Sequence, residues 1–343
     1  MKSRKKIIFN GVFLVVVFVL TIYGVFHGED LSSMMSAIHD ADKKWLVPGI
    51  GLVAFFIWGE SIIIWYMMRS NGIHLKKRSY FLFSSVGFFF SCITPSASGG
   101  QPMQIYYMKK EKISIPVSTV ILMIVTITYK LVLVVIGIGV AVFGRGFVHT
   151  YLQGILPVFY LGLALNIFCV TFMTILVFHP LFAKAIMVKG LKVLERIHLM
   201  KKKENRLRKL EDSMDTYRDT AAYLKNNPMV IVKVIGITFV QRMALFAVTW
   251  FVYQSFGLHG TGFWEILFLQ AVISVSVDML PLPGGMGISE TLFLTIFKPV
   301  FGTLLLPGMV LSRGLGYYGE LLISAIFTVA AQLTIGQEKK KKA

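Results

Sequence analysis

Acidic side chains are scarce in this chain: 17 Asp and Glu stand against 35 Lys and Arg in 343 residues, a formal net charge of +18. Cysteine is scarcer still. Cys92 and Cys169 are the two present, each inside an apolar stretch. They have no metal-ligand spacing and no partner pattern, so a thiolate metal site and a disulfide framework are excluded, and both are expected to be reduced packing residues. The chain has no Walker loop and no dinucleotide fingerprint, which excludes nucleotide-driven chemistry by this chain alone. His39, His74, His149, His179 and His198 are scattered in or beside loops, and His27 and His259 sit at the ends of apolar runs. No hydrolase or transferase constellation forms from them. No catalytic residue, metal or cofactor is expected. Long polar stretches are also missing, apart from 181–227, so there is no room for a large soluble domain.

What remains is apolar. Hydrophobic residues make up 55% of the chain, and its mean hydropathy is +0.70. Several runs reach the roughly 20 residues that a membrane helix needs. The expected full spans are 7–27, 46–68, 114–143, 155–179, 229–254 and 309–335. The first is read as uncleaved, because Met1-Lys-Ser-Arg-Lys-Lys6 leads into it with no small-residue cleavage site. Basic residues cluster beside these spans: four Lys or Arg at the N-terminus, four in 69–78, three in 109–112, twelve in 181–227 and four in the tail, 27 of the 35. That pattern favours an anionic cytoplasmic membrane surface over nucleic acid as partner, and it puts both termini on the cytoplasmic side of a cell membrane. Within 181–227, apolar residues at helical spacing alternate with lysines, predicting a pair of amphipathic helices lying on the membrane surface.

Two segments break the apolar pattern. Pro281-Leu-Pro-Gly-Gly-Met-Gly-Ile-Ser-Glu290 and Pro95-Ser-Ala-Ser-Gly-Gly-Gln-Pro102 combine residues that lack a backbone donor with residues that tolerate sharp turns. Each lies between two apolar arms, 79–94 with 102–108 and 263–280 with 289–301. Lys and Arg flank both ends of the first element, whereas only Lys298 flanks the second. The first is therefore expected to enter from the cytoplasm and the second from outside. The fold expected is an all-α polytopic membrane protein with six full spans and two re-entrant helical hairpins. It forms one integral membrane domain in two halves, 1–150 and 151–343, of inverted topology. Eight plain helices are the alternative, and a homodimer is allowed.

Backbone irregularity at membrane depth must be shielded from lipid by protein or a wet cavity. In each break the second arm opens with a helix N-terminus, which attracts anions. Gly99, Gly100 and Gln101 present such N–H groups in one half, and Gly284, Gly285 and Gly287 in the other. Ser96, Ser98, Gln104 and Ser289 add side chains. Arg242 and Arg313 are expected to hold a lipid phosphate, and Glu60, Asp278, Glu290 and Glu320 a cationic headgroup or a proton, since charges at this depth line pathways or pair with each other. Tight helix packing by the glycines, and static ion pairs by the charges, are the competing readings.

Thr94-Pro-Ser-Ala-Ser-Gly-Gly-Gln-Pro-Met-Gln-Ile-Tyr-Tyr107, the 281–290 segment and Leu311-Ser-Arg-Gly-Leu-Gly-Tyr-Tyr318 resemble the membrane region of lysylphosphatidylglycerol synthases, also called multiple peptide resistance factors. Stand-alone flippase-like proteins share that region. The resemblance covers nearly the whole chain and implies movement of aminoacylated phosphatidylglycerol, a membrane phospholipid, between leaflets. It also implies a soluble lysyltransferase domain that this sequence, ending at Ala343, is not expected to contain. A lipid-modifying enzyme or its membrane subunit, and a small-solute or ion transporter, are the alternatives.

Overall fold

The computed structural model describes residues 31–196 and 205–335. The expected first span at 7–27, the triple lysine at 201–203 and the basic tail lie outside the described residues. All regular structure among the described residues is helical. A short helix α1, Leu31–Asp40, occupies the polar stretch after the first expected span. Asp42 then caps α2, Lys43–Ser70, by accepting the Lys44 N–H at 2.9 Å. The first broken element follows as α3, Lys77–Cys92, and α4, Gly100–Lys110. Next come α5, Ile115–Phe143, and α6, Leu156–Phe178, then the polar pair α7, Pro180–Arg196, and α8, Asn205–Asn226. Helix α9, Pro228–Ser255, leads to the second broken element, α10, Phe263–Val277, and α11, Ile288–Ile296. The last run is α12, Leu305–Arg313, a π-helical turn Gly314–Tyr318, and α13, Gly319–Thr334. Proline stands in the first turn of α5, α6 and α9, where its missing N–H costs no hydrogen bond.

Among the described residues, five helical runs are long and apolar enough to cross a membrane: Lys43–Ser70, Ile115–Phe143, Val148–Phe178, Pro228–Ser255 and Lys298–Thr334. They overlap the expected spans two to six, but the last begins at Lys298, within the expected second arm 289–301, and the third begins at Val148, ahead of the expected 155. The chain is therefore a membrane-embedded helical protein. Lipid-facing stripes follow helical periodicity. Leu322, Ile326, Val329 and Leu333 of α13 are each more than half exposed, at spacings of four, three and four, which place them on one face. Helix α5 is the central element: 67% of its apolar window is buried, against 17–39% for the other four.

The buried side chains form two large apolar clusters and a small one. The first joins Val120–Ile127 of α5 to the first broken element, through Phe83, Val86 and Met108. The second joins Val132–Val140 of α5 to the second broken element, through Leu267, Phe293 and Ile296. The two elements thus pack against opposite halves of one helix. Gly162 lets α6 lie directly on α10, since a Cβ there would meet the backbone of Val275 and Ser276. Asn166, one turn on, donates to the Val275 carbonyl at 3.2 Å.

The polar pair departs from expectation in one respect. Met214, Tyr217, Ala221 and Leu224 of α8 are buried in the first cluster, and the Tyr217 hydroxyl donates to the Leu176 carbonyl at 3.0 Å. The apolar face of α8 is covered by protein, because α5 and α6 end beside it and offer apolar surface closer than lipid. Leu181, Phe182, Ile186 and Met187 of α7 remain exposed, as an interfacial helix requires.

Candidate functional site

Both expected breaks are present, and they touch. In the first, Ala97 and Ser98 donate their N–H groups to the carbonyls of Thr94 and Pro95 at 3.2 and 3.1 Å. Ser96 and Ala97 take left-handed backbone angles, φ 50° and 54°, which are uncommon for residues with a Cβ. In the second, the Gly285 and Met286 N–H groups bond back to Leu282 and Pro283 at 3.1 Å. Pro95 and Pro283 form an isolated antiparallel bridge, and the Ser96 hydroxyl donates to the Leu280 carbonyl at 3.1 Å. Irregular backbone from each element thus satisfies part of the other's hydrogen-bonding demand, with Pro283 buried at the contact and Pro95–Ser98 exposed.

Beside this junction lies a cavity of about 430 Å³ lined by both breaks and by α2, α5, α9, α10 and the last run. Glu60, Lys130, Arg242, Asp278, Arg313 and Glu320 all line it. Two pairs are closed. The Lys130 ammonium donates to Asp278, and the Arg313 Nε donates to Glu290 Oε1 at 2.7 Å. Arg313 also donates from Nη2 to the Gly284 carbonyl at 3.1 Å. Glu290 itself stands behind the cavity wall, where its Oε2 accepts the Gly287 N–H at 2.7 Å. Two acids have neutral partners: Glu60 accepts from the Gln104 amide, and Glu320 accepts from the Cys92 thiol at 3.3 Å.

The expected site residues divide by position. Ser96, Ser98, Gln101, Gln104, Gly284, Gly285 and Ser289 face the cavity. The N–H groups of Gly99, Gly100 and Gly287 instead donate to Thr94 Oγ1, the Ala97 carbonyl and Glu290. Gly100 also sits against the Gly87 carbonyl and Ser91, so it permits close packing of α3 on α4. Gln101 reaches Thr126 of α5. Tyr129, Gln270, Ser312, Tyr317 and Cys92 also line the cavity, and none of them was among the expected site residues. The Tyr317 hydroxyl donates to the Cys92 carbonyl at 3.0 Å. Arg313, Tyr317 and Glu320 share one side of the last run at spacings of four and three. That periodicity was visible; which face it marked was not.

The ion pairs make a direct prediction. Lys130→Met leaves the Asp278 carboxylate buried without a cation and should cost about 3–5 kcal/mol. Adding Asp278→Leu removes that charge, and most of the loss should return. Thermal unfolding of the purified protein in detergent measures both, and equal melting temperatures for the single and double variants would contradict the pairing.

Comparison with protein families places this geometry. The family model for the lysylphosphatidylglycerol synthase TM region matches residues 7–324. The chain belongs to that family. The match takes in both breaks and every residue lining the cavity, and it ties this lysylphosphatidylglycerol synthase TM region to membrane-lipid function. No curated protein matches the chain.

Proposed function

We propose that the protein is a lipid translocase of the cell membrane. It moves a phospholipid, such as aminoacylated phosphatidylglycerol, between leaflets through a polar groove while the acyl chains stay in lipid. The observation that carries this reading is the contact of two helix breaks beside a cavity lined by six acidic or basic side chains. A wet, charged chamber bounded by irregular backbone suits a polar headgroup, and a family tied to lipid function argues against a soluble solute.

In this reading the broken elements are re-entrant hairpins from opposite faces, and 1–150 and 151–343 are inverted halves of six full spans with both termini cytoplasmic. Their packing against opposite halves of α5 supports it. Arg242, on the cavity that the breaks also line, receives the phosphate. Glu60, Glu320 and, once its pair opens, Asp278 receive an amine or a proton. The exposed apolar face of α7 and its lysines rest on anionic lipid of the cytoplasmic leaflet.

Reconstitution into liposomes with a panel of fluorescent phospholipids tests the reading. Protein-containing vesicles should expose inner-leaflet label to a membrane-impermeant quencher faster than protein-free vesicles, with no matching flux of a soluble dye. Dye flux without lipid transfer would sink the proposal in favour of a solute pathway.

A further inference from the structure

We infer that Arg242 and Ser312 form an oxyanion subsite on the α9–α12 wall of the cavity, built for a phosphate or phosphodiester group. The inference rests on the groove reading above and assigns the anion to one place within it.

The cavity holds three cations in unequal circumstances. Lys130 is answered by Asp278 and Arg313 by Glu290. Arg242, 2% exposed, has no carboxylate within 4.0 Å among the described residues. Glu320 lines the same cavity but makes no ion pair with Arg242. The guanidinium lies 3.8 Å from the centre of the Tyr129 ring, with Phe246 at 5.0 Å and Phe56 at 5.9 Å. Aromatic faces steady a guanidinium plane without neutralising it. Its Nε has no hydrogen-bond partner.

Ser312 supplies the second observation. Its hydroxyl is also buried and unpartnered, the residue is 7% exposed, and it lines the same cavity. An unneutralised guanidinium at membrane depth is costly until an anion arrives. A guanidinium with a free Nε–H and an unpartnered hydroxyl, both on the lining of one cavity, suit the oxygens of a tetrahedral oxyanion. Lys130 and Arg313, already paired, hold the wall together. The chemistry is shared by a lipid phosphodiester and by free phosphate.

The test titrates the purified full chain in neutral detergent with dihexanoyl phosphatidylglycerol, inorganic phosphate and dihexanoylglycerol, followed by calorimetry. The phospholipid should bind and the phosphate-free lipid should not. Phospholipid binding tighter than that of inorganic phosphate identifies a lipid ligand, and the reverse identifies free phosphate; either supports the subsite. Arg242→Gln should weaken binding roughly 10- to 100-fold and Ser312→Ala roughly 3- to 10-fold. Arg242→Lys keeps the charge but loses the fork, and should fall between the parent and Arg242→Gln.

Melting temperature separates this from a structural role. Without ligand, Arg242→Gln should melt no lower than the parent, because an uncompensated buried charge is gone, and added phospholipid should no longer stabilise it. Parental affinity in both Arg242→Gln and Ser312→Ala, binding of dihexanoylglycerol as tight as that of the phospholipid, or an equal loss of melting temperature with and without ligand would overturn the subsite. Lipid transfer by Arg242→Gln vesicles at the parental rate would overturn it too while leaving the translocase reading intact. Arg242-dependent phospholipid binding by a parent that transfers no lipid would uphold the subsite and sink the translocase.

Discussion

Glu290→Ala should both destabilise the protein and stop lipid transfer. The carboxylate is nearly inaccessible, with 5% of its side chain exposed, and its two oxygens have separate tasks. One accepts the Arg313 Nε and the other the Gly287 N–H that opens α11, each at 2.7 Å. Truncation strands the Arg313 guanidinium in a buried site and frees the start of α11. Breaking a buried pair from one side costs about 3–5 kcal/mol, to which a lost helix cap adds about 1 kcal/mol. Glu290→Gln keeps an acceptor for Gly287 while losing the charge, and should fall between the parent and Glu290→Ala. The double variant Glu290→Ala/Arg313→Met removes the stranded charge, so its melting temperature should recover in part. Transfer should not recover, because the wall that positions the second break is still altered. Thermal unfolding in detergent and label exposure in liposomes measure the two effects. Parental transfer by Glu290→Ala at an unchanged melting temperature would refute the assignment.

Gly284→Leu should be the most disruptive single change in the second break. Gly284 has φ +56°, a region costing a residue with a Cβ about 1–2 kcal/mol. A Cβ there would also run into the Tyr317 ring, and overpacking of this kind costs about 1–3 kcal/mol. Displacing Tyr317 breaks its hydrogen bond to Cys92 and its contact with Arg313, whose guanidinium lies 4.6 Å from the ring centre. The two causes are separable. Tyr317→Ala in the same background makes room but leaves the backbone strain, so stability should return only in part. Full recovery in the double variant would show that strain contributes nothing, and no recovery would show that the clash contributes nothing.

Arg242 shows how far residue type and position alone reach. A lone arginine inside an apolar run announces a charge turned into the bundle, because lipid tails cannot solvate a guanidinium. The run does not say whether a carboxylate from another helix will meet it. Arg313 and Lys130 carry the same local signal, yet both are paired across the bundle and Arg242 is not. Those partners lie 23 and 148 residues away in sequence, so no local pattern could have distinguished the three. Helix α8 makes the same point for packing. Its apolar face reads as a membrane-surface helix, and only the position of the ends of α5 and α6 turns that face inward.

The sequence by itself determined that this is a helical membrane protein, where five of its spans run, and where two helices break. Hydropathy, charge clustering and proline or glycine chemistry act locally, through the cost of exposing polar groups to lipid and of forcing a backbone through a turn. Only the tertiary structure decided that the two breaks touch, which ionisable groups pair, and that Arg242 Nε and the Ser312 hydroxyl stand unpartnered on one cavity wall. Those facts depend on how separate helices pack, and packing brings together residues far apart along the chain.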